Sequence, residues 1–224
     1  MIMLILAGGF GTRLSSAVSS VPNPMAPVNG VPFLQLQLDN WVKQGQNHFL
    51  YLLHHRSEII IEALKRQKNR FGHNVIIEWL VEETALGTGG SIANAISERQ
   101  INGPVIITNA DTWLDGGLPL FQKGNSALMG VVEVNDASRY GLVDFDHSGV
   151  VSGFHEKKEG FVADGPSTIN AGLYRLPSEI FNLGQSREFS LEAEVLPKLV
   201  KQRLLGATTL PSNFFDIGVP EDYY

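Results

Sequence analysis

The sequence predicts an α/β protein, a single-domain three-layer α/β/α sandwich around a mixed, mainly parallel central sheet. Three observations predict it. Through the first half of the chain, short apolar runs alternate with amphipathic stretches of helical period, the succession that builds parallel strands with crossover helices. From Ala127 onward the texture changes to strands separated by Asn, Asp and Gly, which implies antiparallel additions to the same sheet. The length of 224 residues, with 43% hydrophobic and 18% charged side chains, suits one sizeable core.

Met3 to Leu6 reads as a short buried strand. Pro32 opens a helix whose apolar positions Leu34, Leu38, Trp41 and Val42 share one face, and Gly45 ends it. Phe49 to Leu53 is a second strand. Ser57 is placed to cap the next helix, with Ile60, Ala63, Leu64 and Phe71 inward and Lys65, Arg66 and Lys68 outward. Val75 to Leu80 is a third strand, a helix is expected from about Gly90 to Ser97, and PVIITNAD is a strand running into an acidic loop. ALMGVVEV, YGLVDFD, VVSGFHEK and TINAGLYRL follow as strands. A helix from Leu191 to Gln202, a strand from Leu204 to Thr209 and the ending FFDIGVPEDYY close the chain.

The stretch Leu4 to Pro27 carries the strongest chemical signal. After the apolar run come Leu6 and Ala7, then glycines at Gly8, Gly9 and Gly11 that let the backbone turn tightly with its amides inward, an arrangement that binds anions. Thr12 adds a hydroxyl, and Arg13 adds a planar charged fork suited to phosphate oxygens. No Gly-Lys-Ser/Thr follows, and Leu14 stands where a dinucleotide fingerprint needs its third glycine, so P-loop ATPase and dehydrogenase readings are set aside.

Ligands of open α/β sheets sit beyond the carboxyl ends of the strands, where Asn109 and Asp111 follow VIIT. Asp216 lies inside an otherwise apolar stretch. A hard divalent cation takes one or two such carboxylates, and a buried aspartate needs a partner or a metal. Pattern alone divides evenly between that role and a turn aspartate capping its own backbone. A second glycine-rich stretch, ETALGTGG, opens a helix whose first amides suit anionic or polar ligand groups. Glu82 and Glu83 could accept the paired donors of a guanine edge, although either one alone reads first as a solvated surface glutamate.

LAGGFGTRL followed by PNPMAP resembles the signature of the sugar-1-phosphate nucleotidyltransferases, the nucleotide-sugar pyrophosphorylases. Ser15 and Ser16, with PMAP and a downstream PF, are most similar to the D-glycero-D-manno-heptose 1-phosphate guanylyltransferases. The resemblance implies a Rossmann-like fold of the nucleotide-diphospho-sugar transferase type, with nucleotide binding in about residues 1–125 and sugar-phosphate binding in about 126–224. It implies transfer from a nucleoside triphosphate, best GTP, to a sugar 1-phosphate, best the heptose, releasing pyrophosphate in nucleotide-sugar synthesis for capsule or lipopolysaccharide.

The family's metal-binding aspartates stand in NADT and FDIGVPEDY contexts, so the resemblance assigns Mg²⁺ to Asp111 and Asp216. Its LGTGG segment implies nucleotide contacts at Gly87 and Thr88, alongside Leu6, Ala7, Gly8, Gly9, Gly11, Thr12, Arg13, Glu82 and Asn109. Arg139-Tyr140-Gly141, Glu156-Lys157 and Asn170-Ala171-Gly172 resemble the acceptor motifs RYG, EK and NAG. Gly141, Glu156, Asn170 and Gly172 are thereby expected at the sugar and Lys157 at its phosphate. Arg13 is expected at the β- and γ-phosphates.

One position departs from the family. The pattern reads Pro-Lys-Pro where this chain has Pro22-Asn23-Pro24, so a cation near the phosphates is missing. Losing such a group costs about 2.7 to 4 kcal/mol by analogy with oxyanion-hole deletions. Lys157 or Lys158 could compensate, the chain could be an engineered or naturally impaired variant, or it could be a nucleotide-sugar binding or regulatory protein without turnover; a uridylyl- or mannose-1-phosphate guanylyltransferase is a further alternative. An enzyme is the favoured reading, because the rest of the motif set is complete.

The remaining composition narrows the classes. A net charge of −6 opposes a broad nucleic-acid or anionic-membrane surface, so partners are expected to be small. The chain has no cysteine, which removes disulfides and thiolate chemistry. Met1 leads directly into a strand without a signal-peptide pattern, so a cytoplasmic location is expected. The six histidines show no ligand spacing and are expected to be structural or exposed; Trp113 and Phe214 are expected to pack. The chain stops at Tyr224 without the helical extension some relatives carry, so a trimer built on it is not expected and a homodimer is the assembly considered.

Overall fold

The computed structural model describes residues 1–11, 21–155, 166–181, 188–219 and 223. Its strands are β1 (Met3–Leu6), β2 (Pro27–Val28), β3 (Val31–Pro32), β4 (His48–Leu53), β5 (Ile76–Val81), β6 (Pro104–Asn109) and β7 (Thr112–Leu114), then β8 (Ala127–Val134), β9 (Leu142–Phe145), β10 (Val151–His155), β11 (Ser167–Pro177), β12 (Leu205–Thr209) and β13 (Phe214–Asp216). The helices are α1 (Phe33–Lys43), α2 (Ser57–Phe71), α3 (Gly87–Glu98) and α4 (Leu196–Lys201), the last entered through a π turn at Leu191–Val195.

Nine strands form one sheet. Its first half is parallel, with β1 between β4 and β6 and β5 beyond β4. Strand β11 then runs antiparallel to three neighbours: one edge pairs with β6 through Leu173–Pro177 and with β9 at Ile169, and the other edge pairs with β8, with a register shift between Asn170 and Tyr174. An irregularity of this kind bends the strand that carries it, and the 11 residues of β11 are long enough to pair with β6 and β9 in succession along one edge. The mixed, mainly parallel core expected from sequence is therefore present.

Strand alternation produces the three layers. Met3 and Ile5 face Leu34, Leu38 and Trp41 of α1 and Ile60, Ala63 and Leu64 of α2. Leu4 faces the other way, toward Ile92, Ala95 and Ile96 of α3 and Leu196 and Leu199 of α4. Both faces are apolar, and Met3 to Ile5 are fully buried between the helices of the two layers.

Two local expectations are corrected. Ser57 does not cap α2: it is the first helical residue, and Arg56 precedes it in the left-handed region at φ 52° without a side-chain cap. Helix α3 begins at Gly87, three residues before Gly90, because Gly87 at φ +69° makes the turn into it. Its glycines have a packing reason, since a Cβ on Gly87 would meet the Phe189 carbonyl oxygen at 2.6 Å and one on Gly89 would strike the Phe189 ring.

Candidate active site

Two adjoining cavities open beyond the carboxyl ends of β1 and β6. The larger, about 550 Å³, is walled by the first glycine loop, Asn23, His54, Glu82, the start of α3, and Asn109 to Asp111. The smaller, about 260 Å³, is walled by residues that include Arg139, Gly141, Asn170, Gly172, Tyr174, Phe214 and Asp216. Leu6, Ala7, Gly8, Gly9, Gly11, Asn23, Glu82, Gly87, Thr88, Asn109 and Asp111 thus meet around one space, and Gly141, Asn170, Gly172 and Asp216 around the next. Thr12, Arg13, Glu156 and Lys157 lie outside the described residues.

The glycine loop is shaped by different constraints at each position. A Cβ at Gly8 would press on His54 Cβ at 3.2 Å, so glycine there lets the loop lie close against the end of β4. Gly9 would meet nothing within 4 Å, leaving its space to a ligand. Gly11 has φ +64°, and its missing side chain makes room for Asn23 Oδ1, 2.5 Å from where a Cβ would stand. Asn23 in turn donates from Nδ2 to Asp111 Oδ2 at 3.3 Å.

The two aspartates come together despite their separation in sequence. Asp111 immediately precedes β7, Asp216 ends β13, and the two strands pair antiparallel with Asp216 opposite Thr112. A Cβ on Gly218 would lie 2.7 Å from Asp111 Oδ2 and 2.8 Å from Asp216 Oδ1. The two oxygens are therefore no farther apart than the sum of those distances, about 5.5 Å. They flank a gap that only glycine leaves open. The Gly218 amide donates to Asp216 Oδ1 at 2.9 Å and the Ile217 amide to the Asp111 carbonyl at 3.0 Å, fixing both. Two oxygen donors around such a gap fit a hard divalent cation that completes its shell with phosphate and water.

Other residues hold this geometry. Buried Gln37, reaching from α1, donates from one amide nitrogen to the carbonyls of Asn109 at 2.8 Å and Thr112 at 2.7 Å, gripping the turn that carries Asp111. Asp115 accepts from the Asn213 amide at 2.8 Å, Asn213 Nδ2 at 2.6 Å and the Ser212 hydroxyl at 3.1 Å, tying the start of β13 to the end of β7. These bonds, the Asn213 side chain foremost, hold the Asp115 carboxyl below its ordinary range.

Glu82 and Glu83 part company. Glu83 is exposed, whereas Glu82 is only 8% exposed on the wall of the larger cavity. Its Oε2 accepts the Leu86 amide at 3.3 Å, and its buried Oε1 has no hydrogen-bond partner among the described residues. The α3 amides correct the sequence reading: those of Gly89 and Gly90 donate to the Phe189 carbonyl at 3.0 and 3.2 Å and are not offered to a ligand. Gly141 lines the smaller cavity, and its missing side chain also leaves room for the Phe154 ring, 3.3 Å from where a Cβ would stand.

In the smaller cavity Gly172, at φ +68°, turns the chain so that Asn170 Oδ1 accepts its amide at 3.0 Å and Asn170 Nδ2 donates to the Tyr174 hydroxyl at 2.6 Å. Burial, with the Glu192 charge adding, pushes the Tyr174 hydroxyl up, so it remains a proton donor. Phe214 lines this cavity as well as packing edge-on to Tyr140, and His54 lines the larger one, both beyond the packing or surface roles expected of them. Trp113 packs on Phe33 as expected. Glu188, Glu192, Ser91 and Gln37 were not found from sequence. Ser190-x-x-Ala193 does mark a helix start, but no local pattern tells that Glu192 faces two cavities.

A glycine turn on a parallel sheet, a carboxylate pair beyond the strand ends and a polar annex define a nucleotide-binding α/β protein built for phosphoryl chemistry. The model of the nucleotidyl transferase family matches residues 2–224, and the chain belongs to that family. It is 34% identical over 99% of its length to D-glycero-alpha-D-manno-heptose 1-phosphate guanylyltransferase of Campylobacter jejuni, covering 96% of that protein. It is 31% identical to mannose-1-phosphate guanyltransferase of Pichia angusta across 98% of its own length, spanning 61% of that longer relative. The crystal structure of HddC from Yersinia pseudotuberculosis complexed with GMP-PN superposes with a TM-score of 0.84 at 32% identity, covering 100% of this chain and 96% of that one.

Proposed function

We propose that this nucleotidyltransferase joins GTP to D-glycero-D-manno-heptose 1-phosphate, giving a GDP-sugar and pyrophosphate. The observation that carries the reading is the adjacency of the two cavities with the Asp111 and Asp216 carboxylates converging beside their junction. The larger cavity takes the nucleotide and the smaller the sugar. The heptose guanylyltransferase relative supports the choice of substrates, and so does buried Glu82 Oε1, an unpartnered acceptor suited to the N–H donors of guanine.

An acceptor phosphate oxygen attacks the α-phosphorus, the α–β P–O bond breaks, and pyrophosphate leaves with the electron pair. A phosphomonoester is already nearly a dianion at neutral pH, with a second pKa of about 6, so no general base is required. What the chain supplies is position. The glycine loop leaves room at Gly9, Asn109 stands between the two cavities, and Asn23 offers an amide beside Asp111. Tyr174 and Asn170 present a donor and an acceptor to the sugar hydroxyls.

Charge is the difficulty of the site. Among its described residues the larger cavity carries the carboxylates of Glu82, Asp111, Glu188 and Glu192 and no lysine or arginine. A triphosphate entering it needs cations. Asp111 and Asp216 would hold Mg²⁺, which when bound neutralises phosphate charge and draws the two phosphates together. Arg13 is assigned to the β- and γ-phosphates and Lys157 to the acceptor phosphate, with Glu156 on the sugar. A pyrophosphate-release grid of four nucleoside triphosphates against heptose, mannose, glucose and N-acetylamino-sugar 1-phosphates tests the reading. It stands if GTP with the heptose leads the grid, and fails if every combination is silent or another pair leads by tenfold or more.

A further inference from the structure

Among the described residues the two cavities share two wall residues, Asn109 and Glu192. Glu192 lies in the π turn that leads into α4, yet its carboxylate reaches across to the start of α3. Its Oε2 accepts the Thr88 hydroxyl at 2.7 Å and the Ser190 hydroxyl at 3.1 Å. The Leu191 amide donates back to Thr88 Oγ1 at 2.8 Å, closing a clasp between the two segments.

That clasp occupies one oxygen. Oε1 has no hydrogen-bond partner among the described residues, and the surrounding wall offers a complementary donor in the Tyr174 hydroxyl. A carboxylate with one oxygen anchored and the other open is a rigid acceptor: the anchored side has already lost its rotamer freedom, so a ligand hydroxyl meets it at little ordering cost. A charged acceptor also binds a hydroxyl more strongly than a neutral one does.

We propose that Glu192 is a specificity-determining residue for the acceptor, its Oε1 accepting one hydroxyl of the sugar in the smaller cavity while Oε2 stays tied to Thr88 and Ser190. The proposal rests on the assignment of that cavity to the sugar. It goes beyond it by naming a carboxylate that discriminates sugars by one hydroxyl. A sugar lacking that hydroxyl, or carrying it in the opposite configuration, leaves a partly buried charge facing the ligand unpaired.

The test is a cycle between protein and substrate. Pyrophosphate release is measured with GTP and a set of monodeoxy sugar 1-phosphates, for the unaltered protein, Glu192→Ala and Glu192→Gln. One deoxy position is expected to lower kcat/KM about 10- to 100-fold in the unaltered protein and to cause no further loss in Glu192→Ala. Glu192→Gln keeps a carbonyl for Thr88 and Ser190, so it reports on the open oxygen if alanine loosens the clasp; the same hydroxyl is expected to be singled out, with a smaller loss. The KM for GTP stays within about twofold. Losses that multiply independently at every deoxy position overturn the proposal while leaving the sugar assignment intact. Cancellation by 2′- or 3′-deoxy-GTP in place of a deoxy sugar overturns it in favour of a ribose contact. Absence of turnover with any sugar 1-phosphate overturns the sugar assignment itself, and the proposal with it.

Discussion

Gly218→Ala places one methyl group in the gap between the two aspartates. The added carbon would stand 2.7 Å from Asp111 Oδ2 and 2.8 Å from Asp216 Oδ1, where ordinary contact begins at 3.4 Å. Each oxygen must retreat by about 0.6 to 0.7 Å, the difference between those distances. Both atoms are the ends of side chains, and Gly218 does not need the left-handed region, so the fold can yield at small cost. A Mg²⁺ site cannot yield in the same way, because its octahedral shell requires oxygens at about 2.0 to 2.1 Å. A misplacement of about 1 Å near the reacting atoms costs about 100-fold in rate. Pyrophosphate release at varied Mg²⁺ is therefore expected to show kcat/KM down about 30- to 100-fold and the Mg²⁺ requirement raised, with Tm changed by only a few degrees. An alanine variant within about threefold of the unaltered protein at every Mg²⁺ concentration would refute the reasoning.

Three further expectations follow from named contacts. Glu82→Gln turns part of the open acceptor into a donor facing guanine, so the GTP-to-UTP ratio of kcat/KM should fall about 10- to 100-fold; an unchanged ratio removes Glu82 from base recognition. Asn23→Lys restores the family's cation beside Asp111 Oδ2 and should raise kcat/KM about tenfold or more, whereas no gain in an already fast protein shows that the Asn23 amide suffices. Asp115 has a folded pKa lowered from 3.8, so its contribution to stability is full above that value and is lost as pH falls through the lowered one. Thermal melts from pH 7 down to pH 2 should show a shallower acid decline for Asp115→Ala than for the unaltered protein, and parallel declines would contradict the clamp.

The parts of this molecule that were legible in sequence are those whose meaning is local. The strand-to-glycine turn, Asn109 and Asp111 at a strand end, and an aspartate amid apolar residues each announce themselves within a few positions. Pattern alone left Asp216 evenly divided between a metal role and a turn aspartate; the structure shows the turn, with Oδ1 accepting the Gly218 amide, and the pairing of β7 with β13 also sets Asp216 across from Thr112 and beside Asp111. Other roles are set by distant packing. Gly87, expected at the nucleotide, does line the larger cavity, but the need for glycine there and at Gly89 comes from Phe189, about a hundred residues away in the chain. Glu82 and Glu83 follow the same strand and carry the same charge, so only burial separates them. Gln37 and Glu192 are unremarkable in their own helical segments and gain their roles from carbonyls and hydroxyls that other elements bring to them.

The most direct measurement is anomalous diffraction from crystals grown with Mn²⁺ and a non-hydrolysable GTP analogue. One strong manganese peak is expected in contact with both Asp111 and Asp216 and with a phosphate of the nucleotide lying along the glycine loop. A nucleotide bound in that loop with its manganese elsewhere, or in contact with neither aspartate, would contradict the account.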